Sequence, residues 1–541
     1  MIALNLANVY IDVRINQWNN AFFNAIQEKD SHEFFKQLGI FSILAFAAVV
    51  ISVYALYLNQ MLQIRWRRWM TERYVTKWLA HRVYFRLQLD GSDTDNPDQR
   101  IQDDLRLFTD YVMALSLGLL TSVVSLVSFL FILWGLSGPA EVPLFGWGTL
   151  HVPAYLVWCA VLYAGIGTWL TVKIGRPLVP LSFAQQRFEA DFRFSLVRLR
   201  ENAESIAFYR GEGAEREVFR DRFARVFDNF WALMVRRKKL NWFTSFYGQA
   251  AVIFPYLVAA PRYFSGAIQM GGLMQIGDAF ISVQNSLSFI INSYSDIATW
   301  SAVTQRLSTF DRRMTAIAEA AIEPQRIAVR EDGTGIAVDG LDLDLPDGTP
   351  LLRGISFAAA PGEALLITGP TGIGKSTVMR AAAGLWPYGA GQVRLGAGGR
   401  LFLPQRPYLP LGTLAAALYY PREDSGGAKL EALLDRVGLT HLAPNLGEQH
   451  NWSQRLSLGE QQRLAFARVL LAEPALIFMD EATSALDEAA EAQLYRLLRE
   501  ASWRPAIVSV GHRASLRQFH DRAVDIARFS TRRPDVAPAA D

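Results

Sequence analysis

Nine consecutive residues, Gly369, Pro370, Thr371, Gly372, Ile373, Gly374, Lys375, Ser376 and Thr377, follow the order G-x-x-x-x-G-K-[ST]. Glycines let the backbone curl until several N–H groups converge on one point. A helix that starts there adds the positive end of its dipole, and the combination suits a chain of phosphates. The Lys375 amine can reach β- and γ-phosphate oxygens, and the Ser376 hydroxyl can sit on Mg²⁺. A plain glycine turn also satisfies the pattern, so the flanks matter. Residues 363–368 form a short apolar run that reads as a buried strand, and residues 377–384 read as a helix with a glycine stop.

More chemistry follows in order. Gln405 comes after a strand-like run and can sense Mg²⁺ or a water. Residues 456–463 read as a turn opening a helix, whose first amides, around Ser457 and Gly459, can hold a γ-phosphate. Residues 475–481 are an apolar strand ending in two carboxylates. Asp480 would hold Mg²⁺ through its water shell and Glu481 would polarise an attacking water. Asp487 follows closely. His512 lies just beyond the strand 506–510, where its imidazole can contact the γ-phosphate. A lone Asp-Glu pair or a lone histidine is usually surface or core material. Six such elements in fixed order are not a coincidence.

Positioning these groups requires alternating strands and helices, hence an α/β layer fold. The reading places it at 331–530, after a linker at 314–330 and before a tail at 531–541. Ahead of the linker, residues 1–313 have a different character. The whole chain of 541 residues is 51% apolar and only 19% charged, with a mean hydropathy of +0.12. Those values point to a chain partly embedded in a membrane. A net charge of +3 is too small to imply nucleic acid. One cysteine, Cys159, excludes an intramolecular disulfide, and seven scattered histidines lack zinc-like spacing.

Six membrane helices are expected. The first, residues 1–13, is short, as if its beginning lay upstream. The others cover about 38–64, 111–136, 152–172, 240–260 and 272–300. An alternative count is five full spans plus a surface helix. Arg65, Arg67, Arg68 and Arg73 after the second span mark the cytoplasmic side. The sixth span carries a polar stripe, Asp278, Ser282, Asn285, Asn292 and Asp296, on one helical face. Carboxylates facing lipid are costly, so the stripe reads as a substrate pathway or as interhelical hydrogen bonding. Two phrases on the cytoplasmic arms, 96–100 and 202–211, read as turn-plus-helix contacts.

The ordered set resembles the nucleotide-binding domain of ABC transporters, fused after six membrane helices. Residues 456–460, L-S-L-G-E, resemble the ABC signature, usually L-S-G-G-Q. With the 96–100 and 204–211 phrases, they resemble subfamily D half-transporters and bacterial relatives with a BacA/SbmA-like membrane domain. The resemblance implies an exporter-like helical domain followed by an α/β P-loop domain. It implies ATP and Mg²⁺ as ligands and a second copy of the chain as partner. One copy would supply 369–377, Asp480, Glu481 and His512. The other would supply Ser457 and Gly459, and Glu460 and Asp487 count among the expected nucleotide-binding residues. Lipid and a small-molecule or peptide substrate complete the expected partners.

Two departures stand out. Glu460 and Leu458 replace the usual Gln and Gly. Residues 341–348 contain no aromatic to stack on adenine, so only Leu343 or Leu345 could offer an apolar contact, and a choice of ATP over GTP is not encoded there. The leading expectation is a homodimeric ATP-driven transporter of a bacterial inner membrane. It would take up a bulky amphipathic or hydrophilic solute, such as a peptide, an acyl-CoA or a corrinoid. The rivals are an exporter of hydrophobic compounds and a non-transporting ATP-gated channel or regulator.

Overall fold

The computed structural model describes all residues except 90–95, 139, 145–147, 323–325, 423–429 and 532–541. The expected tail therefore lies almost wholly outside the described residues. The chain divides into two compact units: Met1–Lys77 with Asp95–Arg313, and Trp78–Thr94 with Met314–Asp541.

The first unit is helical. Its elements are α1 (Ile2–Glu28) and α2 (Ser31–Leu79, whose last two residues belong to the other unit). After α3 (Val83–Leu89), which belongs to the other unit, come α4 (Leu105–Leu136), α5 (Tyr155–Gly175), α6 (Leu178–Glu201), α7 (Ala203–Tyr209), α8 (Glu212–Phe264), α9 (Met270–Asn292) and α10 (Tyr294–Ile322, whose residues from Met314 belong to the other unit). Strands β1 (Ala140–Leu144) and β2 (Gly148–Val152) pair antiparallel between α4 and α5. Four helical segments among the described residues are long and apolar enough to cross a membrane: Ser31–Leu89, Pro97–Leu136, Tyr155–Glu201 and Glu212–Phe264. Exposed Phe46, Phe131 and Trp242 suit a lipid-facing surface.

Helices α1 and α9 fall below that apolar threshold, and the structure explains why. The apolar run ends at Val13, yet α1 continues to Glu28. Its polar residues are matched by α9. Asn16 Nδ2 donates to the Gln275 carbonyl at 3.1 Å and Asn20 Nδ2 to Gln275 Oε1 at 2.6 Å. Asn24 Oδ1 accepts from the Gly271 amide at 2.8 Å. At Gly271 a Cβ would lie 1.9 Å from the Asn20 carbonyl oxygen, so only glycine lets the two backbones approach. Helix α9 buries Ile276, Phe280 and Val283 among Phe129, Leu133, Leu156 and Ala259.

The expected single span over 272–300 is two helices, broken at Ser293 between α9 and α10. The expected linker is also shorter than read. Helix α10 runs to Ile322, since Ala316, Ala318, Glu319, Ala320 and Ala321 favour helix, and strand begins at Ile327. Near the start of α4, Asp104 is 2% exposed. It accepts from Arg100 at 2.5 Å and from Arg306 of α10 at 2.7 and 2.9 Å. Arg100, part of the phrase read as a turn-plus-helix contact, is thus a buried strut of the helical unit.

The second unit holds the α/β domain. A four-stranded sheet is built from β3 (Ile327–Gly333), β4 (Ile336–Asp344), β5 (Pro350–Ala359) and β7 (Gly389–Gly396), in the order β3-β7-β4-β5. A five-stranded parallel sheet holds β6 (Ala364–Thr368), β8 (Arg400–Leu403), β9 (Leu476–Asp480), β10 (Ala506–Val510) and β11 (Arg522–Asp525), in the order β11-β6-β10-β9-β8. Helices α11 (Lys375–Ala382), α12 (Leu458–Ala472) and α13 (Glu488–Arg499) follow β6, β8 and β9. Buried Leu365, Ile367, Phe478 and Val508 fill one sheet face, and Phe402 stacks on Phe478 at 4.2 Å. Residues 78–89 join this unit. Leu89 packs against the same core, and Arg82 donates to the Ala383 carbonyl at 3.4 Å.

Candidate functional site

Parallel strands put all their carboxyl ends on one edge, and strand order decides what meets there. The 369–377 loop leaves β6, His512 follows β10, Asp480 and Glu481 end β9, and Gln405 follows β8. Since β6, β10, β9 and β8 are neighbours in that order, groups more than 100 residues apart in sequence share one edge.

Gly374 caps α11 with φ 110°, a backbone that side chains rarely adopt, and a Cβ there would meet Leu351 at 2.9 Å. The Lys375 side chain folds back over its own loop. Its Nζ donates to the carbonyls of Gly369 at 2.9 Å and Pro370 at 2.8 Å. Burial pulls the Lys375 ammonium below its ordinary range, and the Glu481 and Asp480 carboxylates work against that. Glu481 has φ 49°, and its amide donates to the Val510 carbonyl at 3.0 Å. That left-handed turn holds its carboxylate between two partners. Oε2 accepts from Gln405 Nε2 at 3.2 Å, and Oε1 lies 3.5 Å from His512 Nε2. The structure thus brings Gln405, Glu481 and His512 together.

A second recess of about 350 Å³ gathers Ser457, Gly459, Glu460 and Asp487 with His441 and Arg463. None of residues 369–377 lines it. Ser457 caps α12 in a capping box: its hydroxyl accepts from the Glu460 amide, and Glu460 Oε2 accepts from the Ser457 amide at 2.9 Å and from its hydroxyl at 2.7 Å. The other oxygen, Oε1, lies 2.9 Å from His441 Nε2. Burial pushes the Glu460 carboxyl up, but the hydrogen bonds from Ser457 and His441 outweigh it and hold the group below the usual carboxylate range. An anionic side chain therefore sits at the helix start, where the sequence reading expects a phosphate. Glu460→Gln keeps the box and removes that charge. It is expected to tighten ATP binding by about 1 kcal/mol, roughly fivefold. Titration with a fluorescent ATP analogue checks this, and weaker binding would show that the carboxylate assists.

Two residues missed at the sequence level tie the strand edge to this recess. Gln462, fully buried on α12, donates to the Gln405 carbonyl at 2.8 Å and to the Ser484 hydroxyl at 3.2 Å, and accepts from the Ala485 amide at 3.0 Å. Arg513, next to His512, donates to the carbonyls of Leu486 at 2.7 Å and Ser484 at 2.8 Å. Gln462 lies beside another buried glutamine, Gln461, so its place in the sequence alone carries no signal. Gln462→Leu strands three backbone or hydroxyl partners and is expected to cost about 1–3 kcal/mol of stability, read by chemical denaturation. No loss would mean water replaces the amide.

Other expectations fare differently. Leu343 is fully buried in the sheet core and so is not placed to touch a base, whereas Leu345 is partly buried against the same core. In the helical unit, Asp278 and Asn285 line a cavity of about 400 Å³, with Asp12, Asn16 and Asn19 of α1 and Thr121 and Ser125 of α4. Asp278 also accepts from Asn19 Nδ2, so cavity lining and interhelical bonding coincide. Asn292 and Asp296 do not join it, because the helix breaks at Ser293.

Residues 1–264 match a family model described as ABC transporter transmembrane region 2, and residues 352–484 match one described as ABC transporter. The chain is 36% identical over 524 residues to an uncharacterized ABC transporter ATP-binding protein of Haemophilus influenzae, covering 96% of this chain and 87% of that one. It is 35% identical to ABC transporter D family member 2, chloroplastic, of Arabidopsis thaliana, covering 97% of this chain and 82% of that one. A solved structure of a bacterial Atm1-family ABC exporter with ATP bound matches with a TM-score of 0.73 at 17% identity, covering 97% of this chain and 94% of that one; at that identity the likeness is one of fold.

Proposed function

Because the chain belongs to the ABC transporters, with subfamily D and bacterial half-transporter relatives, we propose that two copies of it form a transporter that takes up a bulky amphipathic or hydrophilic solute across a bacterial inner membrane. ATP binding, and hydrolysis coupled to transport, follow from the family. The homodimer, the substrate and the direction are our reading. The observation that carries it is the split of the expected phosphate-binding groups between the strand edge and a separate recess. The strand edge offers 369–377, Glu481 and His512, while Ser457 and Gly459 lie in a recess lined by none of 369–377. Each half supplies what the other lacks, so a second copy placed head-to-tail completes the site.

The residues fit a Mg²⁺ ion alongside the nucleotide. Ser376, Asp480 and Gln405 are hard oxygen donors with a single carboxylate, as suits Mg²⁺ that keeps water and phosphate ligands. Gln405 spends its amide N–H on Glu481, which leaves its carbonyl oxygen for the ion. The ion would neutralise phosphate charge. Glu481 orients and deprotonates the attacking water, His512 holds the γ-phosphate end, and Lys375 exchanges its loop carbonyls for phosphate oxygens.

The test is reconstitution in liposomes with a panel of peptides, acyl-CoA esters and corrinoids. ATP-dependent accumulation inside vesicles with outward-facing ATPase domains is export relative to the cell; depletion of preloaded solute from such vesicles is uptake. ATP-dependent movement in neither direction, with ion conductance instead, would favour the channel.

A further inference from the structure

The cavity among α1, α4 and α9 is one-sided in its chemistry. Asp12 and Asp278 bring two carboxylates from different helices, and no Lys or Arg lines it. Neither carboxylate has an ion-pair partner among the described residues; Asp278 accepts only from the Asn19 amide. A third acceptor is more telling. Asn16 is 3% exposed and its Nδ2 is committed to the Gln275 carbonyl. That fixes its amide orientation and leaves Oδ1 buried without a hydrogen-bond partner. A buried acceptor left unpaired is costly and calls for a donor.

From this juxtaposition, and resting on the transporter reading above, we infer that the cavity is a substrate subsite for an organic cation, a primary ammonium or a guanidinium carried by the transported solute. Both groups offer several N–H donors and no acceptor, which matches three acceptors and no lining cation. An anionic group would meet two like charges. A neutral group would leave both carboxylates without a counter-charge. Thr121, Ser125 and Asn285 can donate or accept, and so suit the hydroxyls or amides of the remaining solute. A bare metal ion is a poorer match. No group of three or more His, Cys, Asp or Glu is assembled among the described residues, and about 400 Å³ lies within the range of sites for whole organic ligands. The inference disfavours acyl-CoA, whose phosphates are anionic.

The test uses the full chain in lipid nanodiscs and three N-acetylated tripeptide amides that differ only in a central lysine, glutamine or glutamate. Calorimetric titration is expected to give a Kd at least about tenfold lower for the lysine peptide than for the glutamine peptide, and the weakest binding for the glutamate peptide. Asp278→Asn and Asp12→Asn are each expected to shrink the lysine-to-glutamine ratio to below about threefold. The Asp12 side chain makes no hydrogen bond among the described residues that its replacement would break, so its variant guards against misfolding of the other. Equal Kd values for the three peptides in the unmodified protein, or no binding of the lysine peptide, overturn the inference. The same peptides in liposomes separate the two readings. Charge-selective binding without ATP-driven movement sinks the transporter reading and leaves the subsite. ATP-driven movement of another solute without charge preference sinks the subsite alone.

Discussion

Glu481→Gln is expected to lower ATP turnover by about 10²–10⁴-fold while ATP still binds. The side chain keeps its size, so the strand end and its left-handed backbone are undisturbed. On the proposed mechanism, what is lost is a base. The carboxylate is held by Gln405 on one oxygen and faces His512 at 3.5 Å on the other, which aims it where a water beside the γ-phosphate would sit. An amide can occupy the same place but cannot accept a proton. Phosphate release measured beside nucleotide affinity separates the two effects. Unchanged turnover would remove Glu481 from the mechanism; lost affinity with normal turnover would make it a binding group.

Lys375→Ala is expected to abolish measurable hydrolysis, a loss of at least about 10²-fold, with a weaker nucleotide complex as well. Lys375 is 6% exposed and is the buried cation of the loop. Its removal takes a positive charge away from the phosphates in both ground and transition states, so binding and turnover should fall together. It also leaves the Gly369 and Pro370 carbonyls without their donor, so thermal unfolding of the apo variant should accompany the assay. Normal turnover in a folded variant would refute the role given to the loop.

The contrast between these residues and the others tells how far sequence reasoning reaches. Residues 369–377 stand out in the sequence because one short segment carries the whole motif, and the fold places it at the end of a buried strand. Gln405, Glu481 and His512 are legible because each follows a strand, and parallel strands deliver such positions to a common edge. Gln462 and Arg513 were not legible. Each resembles an ordinary polar residue on a helix or loop, and its importance depends on carbonyls brought near by the fold. The start of the chain failed for a different reason. Apolar runs detect helices that face lipid, whereas α1 satisfies Asn16, Asn20 and Asn24 against α9. The polar stripe divides: Asp278, Ser282 and Asn285 line one cavity, whereas helical spacing extrapolated past Ser293 ignores a break that nothing in the stripe announces.

The affiliation of residues 78–89 has a consequence for how the protein comes into being. Arg82 meets Ala383 across 301 positions of sequence. A ribosome therefore releases this segment long before the sheet that receives Leu89 exists. Until then an apolar arm must stay soluble or be shielded, and the ATPase core cannot close over it until the strands arrive. Cutting the chain at residue 314 to obtain the ATPase half alone would leave that seat bare. Such a fragment should aggregate unless residues 78–89 are supplied in trans, and their addition as a peptide should restore its solubility.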